Sequence, residues 1–122
     1  MTNTNKAIWA LRIGVAGEFL GHGVLAVQGK EDWIGWFAKF GISDVGTATT
    51  LLLLVGIMDI VVALIVLFKP IKPVLLWAVF WGFLTALVRP IIGQPIWDFI
   101  ERFANWGAPL ALLFLLSKDK SE

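Results

Sequence analysis

The chain has 122 residues, of which 58% are apolar and 16% are charged, and its mean hydropathy is +0.82. An average soluble domain carries about 25% charged residues, so this composition argues against a soluble globular enzyme. The net charge is +1 and no basic patch is present, so nothing in the charge pattern supports nucleic-acid binding. The chain has no cysteine, which excludes disulfides, thiolate metal sites and iron–sulfur clusters.

Four apolar segments are long enough to span a bilayer, which requires about 20 mostly apolar residues per helix. They cover approximately residues 7–28, 47–68, 73–88 and 95–116. The second segment holds a single charged residue, Asp59, and the third holds none. We therefore predict an all-α fold: an integral membrane four-helix bundle in which residues 1–122 form a single transmembrane domain.

The links between the segments indicate how the helices follow one another. Residues 69–73, KPIKP, form a short turn with two prolines, so the second and third helices are expected to be antiparallel neighbours. Residues 93–95, GQP, form the next turn. Short links of this kind favour an up-down-up-down bundle. The first link is longer, and residues 31–40, EDWIGWFAKF, predict a short helix at the membrane interface.

The basic residues of the loops predict the orientation of the chain in the membrane. One side of the predicted bundle carries Lys6, Lys69, Lys72, Lys118 and Lys120. The opposite side carries Lys30, Lys39 and Arg89, among several acidic residues. Because Lys and Arg concentrate in cytoplasmic loops, we expect both termini in the cytoplasm and a multi-pass protein of the bacterial or archaeal inner membrane.

Charged residues within the predicted spans are expected to face the bundle interior, because a charge at bilayer depth is costly. On the first helix, Glu18 and His22 share one face. Beside them, Gly17 and Gly21 form a GxxxG pattern that we expect to pack inside the bundle. Arg12 points away from that face, and its side chain is expected to extend to the lipid headgroups.

The other helices are expected to add polar side chains to this interior. Asp59 lies near the membrane midplane, and Arg89 lies at the outer mouth of the bundle. The fourth helix is amphipathic, and its polar face is expected to point inward with Asp98, Glu101, Arg102 and Asn105. We therefore predict a polar pocket in the outer half of the bundle, capped by the short helix of the first link. Its predicted lining is Glu18, His22, Asp59, Arg89, Glu101, Arg102 and Asn105.

Two sequence patterns resemble the DoxX family of small four-helix membrane proteins. Residues 11–14, LRIG, followed by residues 19–23, FLGHG, resemble the first helix of that family. Residues 53–59, LLVGIMD, resemble its second helix, in which a glycine precedes an acidic residue. The resemblance implies an accessory or small subunit of a membrane redox or respiratory system of the quinol oxidase type, in contact with other subunits of that complex.

The candidate site residues leave several hypotheses open. Glu18 and His22 fit a proton relay, since histidine titrates near neutral pH, or a structural pair in which Glu18 holds a buried His22. A single histidine is too few for bis-histidine haem, and the repeated Glu-x-x-His pattern of diiron bundles is absent. We therefore assign no metal ligands and expect no haem.

The remaining candidates fit a ligand site and a structural network equally well. A small anionic or quinone-like ligand would use guanidinium groups for its oxygens and indole rings for stacking. The residues considered for this role are Trp81, Arg89, Asp98, Glu101, Arg102 and Trp106. The same charges can instead form a salt-bridge network that holds the helices together.

No complete catalytic motif is present, so the sequence leaves enzymatic activity open. The alternative to a redox subunit is a stand-alone membrane protein that binds or converts a small lipophilic ligand such as a quinone. A transporter is a third hypothesis. It would require a homo-oligomer, and the sequence predicts no discontinuous helix of the kind that transporters use.

Overall fold

The computed structural model describes residues 1–117. Over that stretch the chain forms six helices and no strand, which confirms the all-α prediction. The helices are α1 (Asn3–Val27), α2 (Glu31–Lys39), α3 (Val45–Phe68), α4 (Lys72–Ile91), α5 (Ile96–Ile100) and α6 (Phe103–Leu116). Lys118 and Lys120, which contribute to the predicted orientation, lie outside the described residues.

Four helical stretches are long and apolar enough to cross a membrane, namely α1, α3, α4 and residues 96–116. They coincide with the four predicted segments, and α2 occupies the first link. Large apolar side chains such as Leu54, Leu64 and Phe80 are exposed on the outer faces, as is typical of helices that lie in a membrane. By length and composition, these four stretches of residues 1–117 are candidates to span a membrane, which indicates a membrane protein.

The ends of α2 and α3 follow directly from local sequence. Gly29 and Gly41 flank α2 with φ angles of +74° and +90°, a conformation that glycine adopts without steric cost. Asp44 caps α3, because its carboxylate accepts hydrogen bonds from the backbone N–H of Thr47 at 3.0 Å and from its hydroxyl at 2.6 Å. These residues set the direction of the chain as it enters and leaves the short helix.

The long helices pack as two pairs around one core. The contacts are most extensive between α1 and α3, and then between α4 and α6. α1 also packs against α6, whereas the consecutive helices α3 and α4 touch each other much less. All four helices contribute to the buried apolar core, which includes Phe19, Val66, Leu75 and Leu112. The weak contact between α3 and α4 leaves room for the cavity described below.

α1 and α3 meet backbone to backbone at a pair of glycines. A Cβ atom on Gly56 would lie 2.8 Å from the carbonyl oxygen of Gly23, and one on Gly23 would lie 2.9 Å from that of Gly56. In contrast, no neighbouring atom of the described chain lies within 4 Å of a Cβ placed on Gly17 or Gly21. The expectation that the GxxxG pattern packs inside the bundle is therefore wrong, because α3 docks on a different face of α1.

Arg12 also differs from its predicted role at the headgroups. Its Nε donates a hydrogen bond to the carbonyl of Val66 at 3.3 Å, and its Nη2 donates one to the carbonyl of Leu67. The guanidinium carbon lies 3.9 Å from the ring centroid of Trp9. The last carbonyls of a helix have no partner within that helix, and lipid offers none. Arg12 of α1 thus caps the end of α3.

The fourth span is not the continuous amphipathic helix that the sequence predicts. α5 ends at Ile100 and α6 begins at Phe103, and the N–H of Arg102 donates to the carbonyl of Phe99 at 3.1 Å. Such a bond to the third residue back tightens the chain into a 3₁₀ turn. The fourth span is therefore a helical stretch with one tightened turn between α5 and α6.

The side chain of Arg102 stabilises this interruption locally. Its Nη1 donates to the backbone carbonyl of Asp98 at 2.8 Å and forms an ion pair with Oε1 of Glu101 at 2.6 Å. The sequence allows Glu101 to pair with Arg89 or Arg102, and the structure shows the pair with Arg102. The sequence also allows an i, i+4 ion pair between the carboxylate of Asp98 and Arg102, which is not found in residues 1–117, since the guanidinium binds the backbone of Asp98 instead.

Candidate ligand-binding cavity

A cavity of about 240 Å³ lies between α1, α2, α3 and α4. Its lining consists of Glu18, Phe19, His22 and Ala26; Trp33, Trp36, Phe37 and Phe40; Leu52, Val55 and Asp59; and Trp81, Gly82, Thr85, Val88 and Arg89. Most of the lining residues of α1, α3 and α4 belong to the half of the helix nearer to α2, and Asp59 and Trp81 lie close to the middle of their helices. The cavity is therefore at the α2 end of the bundle, where the sequence predicts a pocket capped by this short helix.

Aromatic rings and cations hold α2 over the cavity. The imidazole of His22 packs edge-on against Trp33, with the ring centroids 5.7 Å apart, and Trp33 lies 6.2 Å from Trp36. The guanidinium carbon of Arg89 is 5.1 Å from the ring centroid of Trp36, and Nζ of Lys30 is 4.7 Å from that of Trp33. These cation–π and edge-to-face contacts join α2 to α1 and α4.

Two charged side chains of the cavity are almost fully buried. Asp59 is 4% exposed and Arg89 is 6% exposed. Nη1 of Arg89 donates a hydrogen bond to the carbonyl of Thr85 at 2.7 Å, so part of its hydrogen-bonding capacity is used within α4. Oδ1 of Asp59 is buried and has no hydrogen-bond partner among the described residues. Because an unpaired buried polar atom is costly, this oxygen is available to a partner from outside the chain.

The structure brings together five of the ten candidate site residues. Glu18, His22, Asp59, Trp81 and Arg89 line the cavity. Glu18 is half-buried on the same wall of α1 as His22. No ion pair joins these two side chains in the described part of the chain, and the expected Glu18–His22 pair is replaced by the contact between His22 and Trp33.

The other five candidates do not line the cavity. They are Asp98, Glu101, Arg102, Asn105 and Trp106. α4 lies in contact with α6 at Gly82, where an added Cβ would be 2.5 Å from the carbonyl oxygen of Asn105. Asp98, Glu101 and Arg102 nevertheless lie close enough to Arg89 to act on its charge. The structure therefore places these charges of the fourth span near the cavity but not in its lining, and the convergence of Glu101, Arg102 and Asn105 stays a prediction.

Trp106 belongs instead to an aromatic cluster between α4 and the fourth span. Its ring lies 6.2 Å from Phe83 and 5.6 Å from Phe103, and both Phe83 and Phe103 contact Phe99. Edge-to-face geometry at these distances is favourable. Trp106 therefore packs within this cluster, and its indole N–H is buried without a hydrogen-bond partner among the described residues.

Several apolar lining residues were not predicted from the sequence. Leu52 and Val55 lie on the same face of α3 as Asp59, at intervals of three and four residues. Phe19 lies between Glu18 and His22 in the sequence. Helical spacing could have identified Leu52 and Val55, because residues three, four and seven positions before a buried acidic residue lie on the same helix face.

The described residues include no group of three or more His, Asp or Glu side chains that is placed to hold a metal ion. No family model, curated protein or solved structure matches the chain. The interpretation of the cavity therefore depends on its own geometry.

Proposed function

We propose that this chain is a membrane protein that binds a small lipophilic molecule in the cavity beneath α2. The observation that carries the proposal is an aromatic-walled cavity with a buried, unpaired carboxyl oxygen, that of Asp59. Binding sites for small molecules are typically apolar, with a few polar groups that orient the ligand. A protein cavity of about 150 Å³ holds benzene, so the volume of about 240 Å³ accommodates a substituted ring.

The lining supports a ring-containing ligand. Trp33 and Trp36 of α2 and Trp81 of α4 supply indole rings to the cavity lining, and Arg89 and His22 supply polar nitrogen atoms. A quinone-like head group is one candidate, because its ring can stack on tryptophan and its oxygens can accept hydrogen bonds from a guanidinium.

The DoxX resemblance supports a second proposal, in which the chain is an accessory subunit of a membrane redox system. Of the two proposals, ligand binding has the more direct support, because the cavity is formed by residues of this chain without any other subunit. We propose in both cases an up-down-up-down bundle in the inner membrane with both termini in the cytoplasm, in agreement with the loop charges.

The proposal is tested by extracting bound molecules from the full chain purified in mild detergent. Mass spectrometry and absorbance should detect a lipophilic molecule in stoichiometric amount. Val55→Phe should abolish its retention, because Val55 lines the cavity. Ile57→Phe is the matched control, since Ile57 is exposed on α3. Equal retention by the two variants would contradict the proposal, whereas co-purification of respiratory subunits would support the redox-subunit role.

A further inference from the structure

We infer that the ligand of the cavity is a lipophilic amine, bound as a cation with its N–H group donating to Asp59. This inference rests on the proposed function and names the chemical class of the ligand. Three properties of the cavity support it: the unpaired carboxyl oxygen, the lack of an ion pair to Asp59 and the aromatic wall.

The unpaired oxygen requires a hydrogen-bond donor. Asp59 lines the cavity, and only 4% of its surface is exposed. Its Oδ1 has no hydrogen-bond partner in residues 1–117. An ionised carboxylate only accepts hydrogen bonds. A quinone also offers only acceptors and leaves this oxygen unpaired, whereas a protonated amine donates a charge-assisted hydrogen bond, which is stronger than a neutral one.

Asp59 needs a partner of opposite charge to be ionised inside the cavity. An ionised carboxyl group in an apolar environment is costly unless it is paired. Among the described residues no ion pair joins Asp59 to a cationic side chain, so a singly charged amine supplies that partner.

Arg89 does not occupy the place of that cation. Its Nη1 donates to the carbonyl of Thr85, and its guanidinium lies over Trp36 of α2. No ion pair joins it to Asp59 or Glu18 in the described structure. The carboxyl groups are therefore left to the ligand, while Arg89 holds the short helix in place.

The aromatic wall suits a positive charge as well as a ring. Trp33, Trp36 and Trp81 line the cavity together with Phe37 and Phe40. The negative faces of such rings attract cations, with tryptophan the strongest. The cations of Lys30 and Arg89 lie over Trp33 and Trp36, and the ring of Trp81 has no such contact among the described residues.

Three probes that share a phenyl ring and a four-carbon chain test the inference. They are 4-phenylbutylamine, 4-phenylbutanol and 4-phenylbutyrate, which differ in the charge of the head group. Titration of the full chain in detergent, followed by tryptophan fluorescence, should show the amine binding at least about tenfold more tightly than the alcohol. The acid should bind most weakly.

Asp59→Asn should remove the preference for the amine while binding of the alcohol persists. Asparagine keeps the volume of the side chain, and circular dichroism checks that the variant is folded. Glu101→Gln is the matched control, because this carboxyl group lies outside the cavity, and it should keep the preference. If Asp59→Asn does not fold, the ratio of amine to alcohol affinity in the unsubstituted chain still tests whether the cavity prefers a cation.

Equal affinities for amine and alcohol, or a preference that survives in Asp59→Asn, would overturn the inference. Binding of the alcohol that Val55→Phe abolishes would then still support the proposed lipophile site. If none of the probes binds and no lipophilic molecule co-purifies, the proposed function fails together with the inference.

Discussion

The two helix pairs of the bundle use arginine in opposite ways. In the pair of α1 and α3, Arg12 reaches from one helix to the terminal carbonyls of the other. In the pair of α4 and the fourth span, Arg102 binds Asp98 and Glu101 within its own span. The first arginine therefore joins two elements that are distant in sequence, and the second stabilises a local interruption.

This difference shows that the depth of a charged residue within its predicted span does not tell whether its side chain binds another helix. Arg102 lies about two residues nearer to the middle of its predicted span than Arg12 does, yet Arg12 makes the contact between helices. The free carbonyls at the end of α3 account for this, since a helix end in a membrane needs donors from elsewhere.

The largest effect is expected for Arg12→Leu, which would leave the terminal carbonyls of α3 without their donors. Hydrogen bonds to charged groups contribute about 1.5–3 kcal/mol each, and Arg12 is half-buried, so we expect a loss of about 2–3 kcal/mol in all. Thermal unfolding in detergent, followed by circular dichroism, measures it. Arg12→Lys, which keeps the charge, should lose less, and an unchanged melting temperature would contradict the capping role.

A second test addresses the backbone contact in the same pair. In Gly56→Ala the new Cβ would lie 2.8 Å from the carbonyl oxygen of Gly23 and 2.9 Å from the N of Val27. Overpacking of this kind costs about 1–3 kcal/mol, which the melting temperature should show.

Gly17→Ala is the matched control for Gly56→Ala, because its Cβ meets no neighbouring atom of the described chain within 4 Å. Alanine is favoured over glycine in a helix by about 0.5–1 kcal/mol, so this variant should be equally or more stable. Destabilisation by Gly17→Ala would instead indicate that the GxxxG face is packed.

Arg102→Leu should have a smaller effect than Arg12→Leu. The side chain of its partner Glu101 is 63% exposed, and exposed ion pairs contribute about 0–1 kcal/mol. We expect a loss of about 1 kcal/mol or less by thermal unfolding. A loss as large as that of Arg12→Leu would break the comparison and would favour the convergent charge cluster that the sequence predicts.

The smallest effect is expected at the N-terminus of α3. The hydrogen bonds from Thr47 lower the pKa of Asp44, so the cap stabilises the fold fully above the ordinary aspartate pKa of about 3.9. This contribution is lost as the pH falls through the lower pKa of the folded chain. Asp44→Ala should abolish that part of the acid dependence, measured as the melting temperature from pH 6 down to about pH 3. An unchanged dependence would show that the cap does not contribute.

The sequence predicts a site residue correctly when the cost of exposing its charge to lipid is enough to fix the direction of its side chain. Asp59 is the single charged residue of its predicted span, so the cost of exposing it to lipid indicates an inward orientation, and it is buried. Arg89, predicted at the outer mouth of the bundle, is also buried. Glu101 and Arg102 satisfy each other within one turn, so the same argument does not apply to them. The sequence contains no signal that separates these two cases.

The sequence by itself indicated a membrane environment, the number of long helices and the presence of a short aromatic helix in the first link. These follow from hydropathy, from prolines and glycines in the links and from helical spacing, which act over a few residues at a time. Only the tertiary structure decided which glycines meet, where Arg12 binds, that the fourth span is interrupted and which polar residues share the cavity. These depend on which helix faces come together, and small differences in packing among several apolar faces decide that.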